Sequence, residues 1–186
     1  ENLNLDIVNF IAADMASLPF SDEKFDAITC RFGVMYSEDK VSVGEESRRI
    51  LKMGGRAAYI VWGAYDENPP FHIPRRAVCS YLGIEEGPIP RRHSMSTPGD
   101  LQKILTKANF CRVEERELRY TNPIEDIKDY VTRNLNRSFS KETEDMTEAD
   151  FGDLRQAVIK AWKPFIKDGI LLVPNYARLG LGWKTS

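Results

Sequence analysis

Between residues 11 and 63 the apolar and polar positions follow a strand, helix, strand rhythm. Residues 7–13 form an apolar run that stops on Asp14, a loop occupies residues 15–24, and residues 25–30 form a second apolar run. Each run predicts a strand. Ser37-Glu38-Asp39 predicts a helix start, because a capping side chain and acidic groups favour the positive end of the helix dipole. That helix is expected to reach about Leu51, with Lys52 in its last turn, and Gly54-Gly55 predicts its stop because glycine enters the left-handed region freely. Residues 57–62 are continuously apolar and bounded by glycine, the pattern of a strand covered on both faces. A right-handed parallel unit follows from this order.

Further along, residues 97–110 predict a helix that begins near a proline, and residues 111–120 predict a strand of alternating character. Residues 170–183 predict a last strand. Two regions separate these elements. Residues 66–98 are rich in proline and arginine around a short helix near residues 75–82, and residues 122–167 read as helices over 124–134 and 147–165 joined by a polar stretch. The chain has neither internal repeats nor low-complexity tracts.

In open parallel sheets a ligand sits outside the carboxyl ends of the strands. Those ends here carry Asp14, Cys30-Arg31-Phe32 and Trp62-Gly63. Taken in order, Asp14-x3-Leu18-Pro19-Phe20, Phe25-Asp26 and Leu51-Lys52-Met53-Gly54-Gly55-Arg56 resemble the S-adenosylmethionine-dependent methyltransferases of the Rossmann-like class. The resemblance is to the small-molecule branch that includes the ubiquinone and menaquinone methyltransferases. It implies an α/β fold, an incomplete Rossmann-like methyltransferase fold with a mostly parallel sheet, an antiparallel last strand beside residues 113–120, and helical lid inserts at 66–98 and 122–167.

The same resemblance implies S-adenosyl-L-methionine as cofactor. Asp14 would accept a hydrogen bond from the adenine amino group, Met15 would pack on the ring, and Cys30, Arg31 and Phe32 would lie beside the methionine part. The plain alternatives are a loop aspartate starting a turn and, for Cys30, a small buried hydrophobe. Tyr36, Trp62, His72 and His93 are the candidates for acceptor binding. An aromatic on a helix-entry loop such as Tyr36 is more often simple packing, Trp62 reads as well as a core tryptophan, and the plain reading of His72 and His93 is a solvated, arginine-rich loop. No residue is singled out as catalytic, since displacement at a sulfonium needs mainly alignment and exclusion of water.

In the resembling family a glycine-rich turn and an acidic residue precede the third strand, and this sequence contains neither. The expectation is a single methyltransferase-like domain over residues 1–186 that lacks its N-terminal third, a fragment with impaired cofactor binding. The family places two further strands between the runs at 7–13 and 25–30. Direct pairing of those runs, or a homodimer formed through the exposed edges, is therefore expected.

Composition narrows the classes further. With 186 residues and 42% hydrophobic content the chain can bury a core, and a net charge of -2 argues against a nucleic-acid surface. Cys30, Cys79 and Cys111 lack metal-type spacing and predict reduced thiols. No apolar stretch is long enough to span a bilayer. The expected setting is cytoplasmic, without membrane, metal or nucleic acid, acting on a small-molecule acceptor. The alternative class is a non-catalytic methyltransferase-like or interaction module, and a nucleotide-dependent oxidoreductase fits the Leu-Pro-Phe loop poorly.

Overall fold

In the computed structural model, which describes residues 8–185, β1 (Phe25–Arg31), α1 (Lys40–Ile50) and β2 (Leu51–Trp62) follow one another directly. Beyond them lie α2 (Pro69–Leu82), α3 (Asp100–Lys107), β3 (Cys111–Ile124), α4 (Ile127–Ser138), α5 (Ser140–Thr143), α6 (Glu148–Ala161), β4 (Ile166–Lys167) and β5 (Ile170–Trp183). The sheet runs β1-β2-β5-β3, with β4 against β5. β1 and β2 are parallel and in register from Ala27 opposite Arg56 to Arg31 opposite Ile60. Backbone bonds between Gly54, Gly55 and Lys184, and between Gly63 and Tyr176, give β5 the opposite direction to β2. The α/β class and the last strand at 170–183 agree with the sequence.

α1 begins where expected. Asp39 accepts hydrogen bonds from the backbone of Val41 at 3.1 Å and Ser42 at 3.0 Å, which satisfies donors that a helix start otherwise leaves bare. These bonds hold the Asp39 carboxyl below its ordinary range.

Three expectations need correction. First, α1 ends at Ile50, and Gly54-Gly55 lie inside β2 instead of after a helix. Pairing passes from Phe25 opposite Leu51 to Ala27 opposite Arg56, so β2 carries extra residues against β1. Gly54, at φ +79°, takes up this bulge. A Cβ on Gly55 would stand 2.8 Å from the Lys52 carbonyl oxygen.

Second, residues 8–13 are irregular and exposed, and Ile7 lies outside the described residues. Asp14 makes an isolated bridge to Ser17. The direct pairing expected between this run and β1 is absent among the described residues. An apolar run becomes a strand only when a neighbour takes its backbone hydrogen bonds.

Third, the helix placed near residues 75–82 starts at Pro69. Proline suits a first turn because its missing N–H would have had no partner there. The sequence reading also passed over the β4-β5 hairpin, where Asp168 and Gly169 both take positive φ in the two-residue turn that matches strand twist.

The chain divides into two compact units. Of the described residues, unit one holds 8–60, 98–115 and 179–185, and unit two holds 61–97 and 116–178. In unit one α1 packs on α3 over buried Val43, Ile50, Leu101 and Leu105. The Tyr59 hydroxyl donates to Ser47 Oγ at 2.6 Å, and burial pushes its pKa up to about 12. α3 has no capping side chain of its own, and Glu115 accepts from the backbone of Gly99 and Gln102 instead. In unit two α2 and α4 pack on α6, and Val78, Val131, Leu135, Leu154, Val158 and Trp162 form the centre of the core.

The contact between α1 and α3 sets up a competition that can be measured. A Cβ on Gly44 would stand 2.7 Å from the Ala108 Cβ. Gly44→Ala gains about 1 kcal/mol of helix propensity but forces overpacking that costs about 1–3 kcal/mol. Denaturant unfolding should therefore show net destabilisation, and Ala108→Gly in the same background should reverse it.

Candidate functional site

In unit one the carboxyl end of β1 is built around a strained turn. Phe32 follows the strand with φ +56°, a region that bulky residues avoid at a cost of about 1–3 kcal/mol, while its N–H donates to the Ile60 carbonyl at 2.8 Å. The chain then passes through Gly33, where a Cβ would stand 2.9 Å from Cys30 Sγ and 3.3 Å from Met15 Sδ. Met15 and Cys30 thus converge on one backbone position. Arg31 lies over the Phe32 ring, 4.9 Å from its centroid. Burial pushes the Cys30 thiol up from its ordinary range, against backbone hydrogen bonds from Val34 and Gly33.

Asp14 precedes Met15 in an exposed turn in which its carboxylate accepts from the Ala16 N–H at 2.8 Å. The following Leu-Pro-Phe loop is fastened to α1. Glu46 accepts from the Leu18 N–H at 2.7 Å, and Arg49 bonds Glu46 at 2.7 Å and Asp22 at 2.6 Å. The hydrogen bond from Arg49 holds the Glu46 carboxyl below its usual value. This clamp was missed in the sequence, although Glu46 and Arg49 stand at the i, i+3 spacing that makes helical neighbours. Tyr36 ends the short helical turn Val34–Tyr36 and is 49% exposed.

Unit two contains a cavity of about 620 Å³ walled by α2, the segment after it, α4 and the ends of β2, β3 and β5. Trp62 is on its wall, edge to face with Phe71 at 4.8 Å. Arg92 lies over the Phe71 ring, 4.9 Å from its centroid.

Neither histidine lines this cavity. His93 Nδ1 lies 2.9 Å from the Gly63 carbonyl oxygen, which can only accept, so Nδ1 carries the proton. Its Nε2 is buried and lacks a partner among the described residues. Tyr65 and Phe71 enclose the ring with centroids at 5.3 and 5.1 Å. Burial is the main cause that pushes His93 below its ordinary pKa. His72 is pushed down by burial and then by Arg76, whose Nη1 lies 3.4 Å from His72 Nδ1.

The structure therefore gathers Met15 and Cys30 in unit one, with Asp14 and the Arg31-Phe32 step adjoining them in sequence. In unit two it places Trp62 at the cavity and His72 and His93 away from it. Sequence reasoning missed Phe71, Pro74, Tyr130, Asn134 and Asn175, all on the cavity wall.

Residues 1–59 match the sequence family described as a methyltransferase domain. That match covers the first 59 of the 186 residues, and the curated proteins similar to this chain include methyltransferases. The chain is 28% identical over 124 residues to demethylmenaquinone methyltransferase of Bacteroides fragilis, covering 61% of this chain and 51% of that protein. It is 32% identical over 121 residues to sterol 24-C-methyltransferase of Pneumocystis carinii, covering 63% of this chain and 30% of that one. The chain thus spans about half the length of the first relative and under a third of the second. A solved structure from Bacillus halodurans C-125, assigned provisionally as a methyltransferase, shares the fold at TM-score 0.50 and 20% identity over 94% of this chain and 70% of that one. No helix among the described residues is long and apolar enough to cross a membrane.

The two histidines give a pH dependence with a definite sign. Each has its folded pKa lowered from 6.5, so in the window below about 6.5 the unfolded chain binds more protons than the folded one. Stability then rises with pH through that window, is complete above it and is lost as pH falls. Melting temperature should drop between about pH 7 and pH 5. His93→Gln, which keeps a donor for Gly63, should flatten the slope.

Proposed function

We propose that this chain is the part of an S-adenosylmethionine-dependent methyltransferase that carries the adenine side of the cofactor site in unit one and the acceptor cavity in unit two. The observation that carries this reading is the convergence of Met15 and Cys30 on Gly33 at the carboxyl end of a parallel strand, within sequence that matches a methyltransferase domain.

The residues fit the group. Asp14 offers an exposed acceptor to the adenine amino group, and the Met15 thioether offers a polarizable apolar surface to the ring. Cys30, Arg31 and Phe32 flank the methionine part. Bound S-adenosylmethionine supplies an electrophilic methyl group on a sulfonium. A thiolate beside such a group would compete for the methyl, and burial of Cys30 keeps its thiol protonated.

The acceptor is an apolar small molecule. Trp62, Phe71, Pro74 and Val78 belong to the apolar part of the wall, and the two relatives are named for a menaquinone precursor and a sterol. Net charge supports a small molecule over nucleic acid, and the free thiols at Cys30, Cys79 and Cys111 accord with a cytoplasmic setting. The competing reading is a binding module without turnover. It draws support from the position of His72 and His93 away from the cavity, which leaves no histidine there as a base.

Calorimetric titration of S-adenosylhomocysteine into the protein in its full natural length tests the cofactor half of this reading. Asp14→Ala should weaken binding about tenfold, in line with loss of a hydrogen bond to a charged group, with no change in melting temperature. Unchanged affinity in that variant would remove Asp14 from the site. Absence of binding would favour the module. Trp62→Ala should raise KM for the acceptor while leaving S-adenosylhomocysteine affinity as it was.

A further inference from the structure

His93 stands behind the unit-two cavity and holds residues that line it. Its Nδ1–H reaches the Gly63 carbonyl at 2.9 Å, and Gly63 follows Trp62, which is on the cavity wall. Its ring is edge to face with Phe71 at 5.1 Å, and Phe71 is edge to face with Trp62 at 4.8 Å. Arg92, the preceding residue, lies over the same Phe71 ring and also lines the cavity. The short helical turn Arg91–His93 is thus tied to the end of β2 through one imidazole, and the aromatic wall is built against that imidazole.

This place has no room for a second proton. His93 is 5% exposed, and its Nε2 is buried without a partner among the described residues. Protonation puts an N–H donor there with no acceptor, and a buried unpaired donor is costly, more so when it is charged. The groups facing the ring give no relief. They are the Gly63 carbonyl after β2, Phe71 of α2, and the Tyr65 phenol at 5.3 Å, which stays neutral because burial pushes its hydroxyl up. His72 of α2 lies beyond Tyr65, 6.0 Å from that ring. The charge that acts on His93 is Arg92, which opposes a cation beside it, and among the described residues no carboxylate offsets it. Nε2 is closed off from solvent, so a proton reaches it only when the ring leaves its place. Protonation and opening are therefore one event.

We infer that His93 is a positioning residue for the cavity wall: neutral, it holds Phe71 and Trp62 in place, and protonated, it withdraws and frees them, so that mild acid shifts the cavity toward an open form. The consequence for methyl transfer rests on the acceptor reading of the cavity given above, whereas the opening itself is a property of the wall. The open form takes a proton at the ordinary value of about 6.5, and the closed form takes it only at lower pH. Above about pH 6.5 the balance is therefore constant, and below it each pH unit favours the open form by up to about tenfold.

Amide hydrogen exchange on the protein in its full natural length, with neither cofactor nor acceptor present, tests this. The amides of His93 and Ser94 donate to the Pro90 and Arg91 carbonyls at 2.9 Å. Corrected for intrinsic exchange, their protection should fall about tenfold between about pH 7.5 and pH 5.5, while remaining well below that of the Trp162 amide in the core at either pH. Cys79 is on the same wall, and its alkylation by N-ethylmaleimide, followed by mass spectrometry and scaled to a free thiol at each pH, should accelerate in step. His93→Gln should make both readings independent of pH. His72→Gln, which leaves His93 as the sole histidine, should keep both responses. Protection that does not change with pH in the wild type, the same loss in His93→Gln, or its disappearance in His72→Gln would each overturn the inference. So would protection at His93 and Ser94 equal to that at Trp162, since the ring then leaves only on global unfolding, or alkylation of Cys79 that does not follow the exchange. No ligand takes part, so the acceptor reading and this one fail separately.

Discussion

Parallel pairing of β1 with β2 is the constraint on which the remaining architecture of unit one depends. Two parallel strands cannot be joined by a tight turn, so the chain must return through a crossover, and α1 is that crossover. The pairing also sends both strands toward the same edge. The strained step at Phe32 is tolerated because its N–H continues the ladder to Ile60. Once that bond is made, Gly33 must follow closely enough for Met15 and Cys30 to meet on it. Lys184 secures the opposite end of β2, donating from Nζ to the Leu51 carbonyl at 2.8 Å and exchanging backbone bonds with Gly54 and Gly55.

Much of this frame was legible because it follows local periodicity. β1, α1 and β5 show their character within their own residues, and Asp39 is a cap whose partners lie two and three residues away. Elsewhere the pattern permitted two outcomes and the deciding contact was distant in sequence. Gly54-Gly55 reads as a helix stop because positive φ serves a C-terminal cap and a bulge equally well, and the choice was made by Lys184. Residues 8–13 have the apolar content of a strand, but content supplies no neighbour.

The candidate sites divide in the same way. Strand ends pointed to Cys30 and Trp62 from sequence alone, since strand direction is a local property. The polar side of α4 was illegible because Tyr130, Asn134 and Ser138 look like any solvated helical face until α2 is found to line the same cavity. His72 and His93 were misleading for the converse reason. Their arginine neighbours suggest an open basic loop, whereas Tyr65 and Phe71 close around His93 and withdraw it from solvent.

The burial of Trp162 has an optical consequence. Its indole is fully enclosed in the core of unit two and its N–H has no partner among the described residues, so its fluorescence belongs at the short-wavelength end of tryptophan emission. Trp62 stands on the cavity wall and is only half-buried. Emission from the two rings in unit two is therefore separable by colour. Trp183 of unit one is half-buried as well, so once it is replaced by phenylalanine the red side of the spectrum reports what enters the cavity, and the blue side reports whether the helices around α6 remain packed.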